Sequence, residues 1–212
     1  MAMAVDTVVV NFGSPRSGTT FMEKCLLSLR GVLTVKLPEG RLLHPCQSVD
    51  GLVDMCHWFQ HRKLILIRTI RHPLEIAESL VALRTQSPHH GALWKKTDDW
   101  VVRIISAESE RVLEQRPKLL ALPYGRFIEV HYEDLADPER VDAFVTDVVH
   151  SLPDMELNRV NLTRALGTFG KIPVRNGRLA RGLDRAMEPE QREWFRRQLT
   201  GVIKREGYAD AD

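Results

Sequence analysis

Gly13-Ser14-Pro15-Arg16-Ser17-Gly18-Thr19-Thr20 concentrates more chemistry than any other stretch of this chain: a Gly-x4-Gly spacing, one guanidinium and a run of hydroxyls. Glycines at that spacing let the backbone curl until several N–H groups face one anion, and a helix beginning there adds its positive end. The loop is therefore expected to hold a phosphate. It is not expected to hold one as a magnesium-nucleotide hydrolase does, because the lysine that should follow the second glycine is Thr19. Arg16 is the only cation in the loop. A second anion-binding segment is Arg71-His72-Pro73-Leu74-Glu75-Ile76-Ala77-Glu78-Ser79. Arg71 offers a planar donor fork and Ser79 a hydroxyl, with Arg68 as the alternative donor if the strand register is shifted.

These groups need a scaffold, and the hydrophobic pattern supplies one. Thr7–Phe12, Lys63–Ile70 and Arg126–His131 read as strands; the continuous apolar run of the first suits a parallel sheet covered on both faces. Between them lie helical stripes. Phe21, Cys25 and Leu29 follow the glycine loop; Ile76, Leu80 and Leu83 follow Pro73. Val101, Ile104, Ile105 and Val112 mark a helix capped by Asp98 or Asp99. Pro138 opens a helix through Val141, Val145 and Val148, and Pro189 another through Phe195, Leu199 and Val202, closed by Gly207. Asn161 to Asp184 shows only a weak, basic pattern, and Gln86 to Trp94 reads as an exposed loop. The expected fold class is α/β, a three-layer arrangement with a central parallel sheet flanked by helices, with residues 1–212 forming one domain.

Composition narrows the class of function. Of 212 residues, 43% are hydrophobic and 27% charged, which excludes a disordered chain. Thirty basic against 28 acidic residues leave +2, too little to draw the protein onto nucleic acid. No apolar run approaches the ~18 residues that span a bilayer, and no secretory leader is visible. Cys25, Cys46 and Cys56 are odd in number and lack Cys-x-x-Cys spacing, so neither a disulfide framework nor a zinc site is expected. A cytoplasmic enzyme or binding protein fits these limits; oligomeric state is left open.

Pro15-Arg16-Ser17-Gly18-Thr19-Thr20 resembles the 5′-phosphosulfate loop of the sulfotransferases that use 3′-phosphoadenosine-5′-phosphosulfate (PAPS). Arg16 in place of the lysine of cytosolic members is similar to the tyrosylprotein and carbohydrate branches and to many bacterial members. The resemblance implies a P-loop-like sulfotransferase fold and PAPS as co-substrate, with no metal. It implies that Arg16, Ser17, Gly18, Thr19 and Thr20 hold the 5′ end, while Arg71 and Ser79 match the 3′-phosphate motif. Tyr132, in Tyr132-Glu133-Asp134, corresponds to the tyrosine beside the adenine. Arg175-Asn176-Gly177 partly matches the basic loop that closes over the 3′-phosphate, with Asn176 departing from the pattern.

Sulfuryl transfer also needs charge stabilisation on the leaving oxygen, which Arg16 would supply, and a base for the acceptor hydroxyl. Glu39-Gly40-Arg41 resembles the Glu-x-Arg setting of the base in the tyrosylprotein branch, and His44 is the rival, with an ordinary pKa near 6.5 suited to proton transfer. The acceptor is expected to be a small molecule or glycan bearing a hydroxyl, with Trp58-Phe59 and the Gln86–Trp94 loop as candidate lining. A P-loop small-molecule kinase and a non-catalytic nucleotide-binding relative are the alternatives.

Overall fold

The computed structural model describes residues 7–14, 16–30, 33–36, 63–86, 97–121, 125–150, 156–169, 171–173, 179–181 and 187–208. In chain order they form β1 (Thr7–Gly13), α1 (Thr19–Leu26), β2 (Leu29–Arg30), β3 (Leu33–Lys36), β4 (Lys63–Ile70), α2 (Pro73–Gln86), α3 (Asp98–Leu120) and β5 (Gly125–His131). A 3-10 turn over Asp134–Ala136 leads into α4 (Pro138–His150), β6 (Glu156–Leu157), α5 (Arg159–Leu166), β7 (Lys171–Pro173), β8 (Leu179–Arg181) and α6 (Pro189–Arg205). The fold is α/β: a parallel sheet in the order β3-β1-β4-β5, flanked by helices in an arrangement compatible with three layers.

The strands form because their sequences suit burial on both faces. Val8, Val9 and Val10 of β1 are fully buried, as are Leu66 and Ile67 of β4. Successive side chains alternate faces. Val9, Ile65, Ile67 and Val130 meet one apolar cluster with Met22 and Cys25 of α1, Val145 of α4 and Leu162 of α5. A second cluster joins Leu80 of α2, Trp100 and Ile104 of α3, and Phe195 and Leu199 of α6. Cys25 belongs to the first; burial pushes its thiol up to about 12, so it is core and not a nucleophile.

The expected cap of α3 needs correction: it is Thr97, whose side chain accepts from the Trp100 N–H, while Asp98 and Asp99 occupy the first turn and favour the helix dipole there. Two elements come in addition to those expected. The weakly patterned stretch around Asn161 holds α5, capped by Asn158, whose side chain accepts from the Asn161 N–H, and it buries Leu162 and Ala165. A further strand, β3, extends the sheet beyond β1.

One buried polar group is out of keeping with its surroundings. Ser109 of α3 is buried beside a small cavity lined by Arg68, Ile105, Val202 and Glu206, and its hydroxyl has no hydrogen-bond partner among the described residues. A desolvated, unpaired hydroxyl costs about 1–3 kcal/mol. Ser109→Ala is expected to leave the protein as stable or to raise its stability by about 1 kcal/mol in urea unfolding. A clear loss of stability would mean that the hydroxyl is hydrogen-bonded in solution.

Among the described residues no helix is long and apolar enough to cross a membrane.

Candidate functional site

The site lies at the C-terminal ends of β1, β4 and β5, where strands hand the chain to α1, α2 and the 3-10 turn. Open α/β sheets place ligands in crevices of this position. β1 runs into the glycine turn because Gly13 can approach β4 more closely than a side chain allows: a Cβ there would stand 2.5 Å from the Thr69 carbonyl oxygen. The turn is then pinned from inside. Asn11 of β1 donates Nδ2–H to the Thr19 carbonyl at 2.7 Å, and the Ser17 hydroxyl meets Thr69 Oγ1 at 3.1 Å. Ser17 N–H returns to the Ser14 carbonyl, and the N–H groups of Phe21 and Met22 close the first turn of α1 on the Gly18 carbonyl.

Two residues of the turn adopt left-handed backbone conformations. Gly18 has φ +99° and Arg16 has φ +71°. Arginine reaches that region only at a cost of roughly 1–3 kcal/mol, and such strain concentrates at functional sites. The half-buried Arg16 side chain donates Nε–H to Ser79 Oγ of α2 at 2.9 Å, across 63 residues of sequence. Its carbonyl accepts from Arg71 Nη1 at 3.1 Å.

Arg71 links the rest. Its guanidinium lies 4.4 Å above the centre of the Tyr132 ring, and its Nε donates to Glu75 at 2.9 Å. The Glu75 side chain is about half exposed, and a pair of that kind is worth little in water. Nη2 of Arg71 has no protein partner among the described residues. Tyr132 in turn lies against the loop itself: a Cβ on Gly18 would stand 2.4 Å from Tyr132 Cδ2. Burial pushes the phenol's pKa up and Arg71 opposes it, so Tyr132 presents a neutral, half-buried ring with one face on the glycine and a cation above it.

Arg16, Gly18, Arg71, Ser79 and Tyr132, all read from the sequence, thus form one contiguous group. Ser17 and Thr19 are differently placed: both are buried, and the Ser17 hydroxyl braces the turn against β4. Thr20 is half-buried at the start of α1. Arg68, the alternative donor, is not part of the site. Its guanidinium is held by carboxylates, Nη1 on Glu129 at 2.9 Å and Nη2 on Glu206 at 2.8 Å, although it lines one small cavity together with Ser14 and Arg71. Glu39, His44, Arg175, Asn176 and Gly177 lie outside the described residues, as do Trp58 and Phe59.

Sequence reasoning missed three supporting residues. Asn11 was visible as the lone amide within a buried β-branched run. Thr69 and Glu75 gave no signal, because hydroxyls and carboxylates near strand and helix ends are common. Among the described residues no three His, Cys, Asp or Glu side chains converge to hold a metal ion. Comparison with family models, with curated proteins and with solved structures finds no match for this chain.

Proposed function

We propose that the chain is a PAPS-dependent sulfotransferase with a P-loop-like sulfotransferase fold, acting on a hydroxyl of a small molecule or glycan. The observation that carries this reading is the contact between the two anion-binding segments: the Arg71 guanidinium donates to the backbone of the glycine turn, and Arg16 reaches Ser79. A nucleoside phosphorylated at both its 3′ and 5′ positions needs two such cradles close together. The glycine turn and Arg16 would take the 5′ phosphosulfate, and Arg71 with Ser79 the 3′-phosphate. Tyr132 offers a flat apolar surface beside them for the base.

In the reaction a new bond forms from the acceptor oxygen to sulfur as the bond from sulfur to the 5′-phosphate oxygen breaks. The acceptor proton passes to a base, for which Glu39 and His44 are the candidates. The products are a sulfate ester and adenosine 3′,5′-bisphosphate. Arg16 and the positive end of α1 stabilise charge growing on the departing phosphate. The cytoplasm, where three cysteines without paired spacing would stay reduced, belongs to the same reading.

Calorimetric titration with adenosine 3′,5′-bisphosphate tests the reading. Binding in the micromolar range, and transfer of label from PAPS to a panel of hydroxyl acceptors, is the expected result; no binding at high micromolar ligand would overturn it. Magnesium-dependent ATP binding without any response to the bisphosphate would replace it with a small-molecule kinase. Arg71→Ala is expected to weaken the bisphosphate by about 10- to 100-fold, since hydrogen bonds to charged groups contribute about 1.5–3 kcal/mol. Adenosine 5′-phosphate, which lacks the 3′ group, is expected to lose only a few-fold. Equal losses for both ligands would remove Arg71 from the 3′ position.

A further inference from the structure

Tyr208 stands apart from the glycine turn, yet it is bound to the two residues that directly follow site residues in the chain. It comes after α6, where the Gly207 N–H returns to the Lys204 carbonyl and the Tyr208 N–H to the Ile203 carbonyl, a Schellman closure. That closure sends the Tyr208 ring back over the ends of β4 and β5. The ring packs edge-on against His72 at 4.8 Å and against His131 at 5.3 Å. Its hydroxyl donates to Glu133 Oε2 at 2.9 Å and lies 3.1 Å from His131 Nδ1.

The other oxygen of the same carboxylate, Glu133 Oε1, accepts from the His72 backbone N–H at 3.4 Å. One carboxylate thus joins the segment after α6 to the turn that carries Arg71. His72 completes the turn: its Nδ1 accepts from the Leu74 N–H at 3.2 Å at the start of α2. Burial pushes the His72 pKa down, partly opposed by Glu75 and Glu133, so at neutral pH the ring is in the uncharged form that can accept there. Burial and Glu133 push the Tyr208 phenol well above its usual range, so at neutral pH the hydroxyl keeps the proton it donates. Arg71 precedes His72, Tyr132 precedes Glu133, and Arg71 lies over the Tyr132 ring. Holding His72 and Glu133 therefore fixes how Arg71 and Tyr132 face each other.

We propose that Tyr208 is a positioning residue of the second anion cradle, acting through Glu133 and His72 to set the Arg71–Tyr132 pair for a 3′-phosphate. This rests on the reading of that cradle given above. Tyr208 touches neither the glycine turn nor Arg71 in the described contacts, so its effect is indirect and selective. It acts on the doubly phosphorylated ligand and not on one phosphorylated only at the 5′ position.

The test is Tyr208→Phe in the full chain, which keeps the ring and removes the hydroxyl. Calorimetry is expected to show about fivefold weaker adenosine 3′,5′-bisphosphate, less than for Arg71→Ala because the hydroxyl acts only through the exposed Glu133, with adenosine 5′-phosphate within twofold of the unaltered protein. Glu133→Ala is expected to give the same selective loss, and the double variant no more than Glu133→Ala alone, because both cut one link. Unchanged bisphosphate affinity, equal losses for both ligands, or additive losses would overturn the proposal. The NMR resonance of Arg71 Nε–H gives a readout without nucleotide: it is expected to shift in ligand-free Tyr208→Phe, and an unmoved resonance would also overturn the proposal. Should the unaltered protein bind no bisphosphate, the sulfotransferase reading fails, and the role assigned to Tyr208 in 3′-phosphate binding falls with it. A shifted Arg71 resonance would then retain only the mechanical link.

Discussion

Arg68→Met is expected to lower stability by about 3–5 kcal/mol in urea unfolding, enough to unfold a marginal domain. Arg68 is the buried charge of β4, with its side chain only 7% exposed. It sits directly opposite Glu129 of β5 in the strand register, so its partner is fixed by the sheet. Burial disfavours the guanidinium charge, but Glu206 and Glu129 outweigh that and push its pKa up. The two carboxylates differ in what they lose. Glu129 keeps Arg116 at 2.7 Å, whereas Glu206, 9% exposed, has only Arg68 among the described residues. The methionine variant therefore strands Glu206, and Arg68→Met/Glu206→Gln is expected to recover a large part of the loss, because a neutral amide costs less to bury than a charge. A single variant as stable as the parent would show that water reaches this pair freely.

Gly18→Ala is expected to be the most damaging change in the site itself. Two costs combine. The left-handed φ of +99° is strained for alanine by roughly 1–3 kcal/mol, and the new methyl meets the Tyr132 ring at 2.4 Å. The ring cannot retreat easily: Arg71 covers it at 4.4 Å and the Phe169 ring lies 5.1 Å away. The expected result is a loss of about 3 kcal/mol or more in stability and at least tenfold in bisphosphate affinity. In a Tyr132→Ala background the clash is absent, so Gly18→Ala is expected to cost only the strain of its backbone, leaving the pair markedly non-additive. Additive costs would mean that the loop and the ring are not packed against each other in solution.

The parts of the fold that were legible in the sequence share a physical cause. Strands β1 and β4 are covered on both faces, so burial writes itself as a long apolar run, and the stripes of α2, α4 and α6 recur at helical spacing. β3 escaped because four residues, Leu-Thr-Val-Lys, carry too short a pattern; its place is set by pairing with β1, from Val8 opposite Leu33 onward. α5 escaped because it buries only Leu162 and Ala165 among arginines and polar residues. In the site, glycines and arginines announce themselves by type and spacing. Their supports do not: Thr69 lies 52 residues from Ser17, and Tyr208 lies 75 from Glu133, with nothing local to relate either pair.

The ion pair between Arg68 and Glu206 joins residues 138 positions apart, and this sets a timetable for biogenesis. Domains begin to organise from the N-terminal side while synthesis continues. Strands β1 and β4 leave the ribosome early, carrying a cation destined for the interior whose second counter-charge has not yet been translated. Until residue 206 is made, Glu129 is the one of its two carboxylate partners that the nascent sheet can offer. A fragment that stops short of residue 206 would bury that cation with its second counter-charge missing.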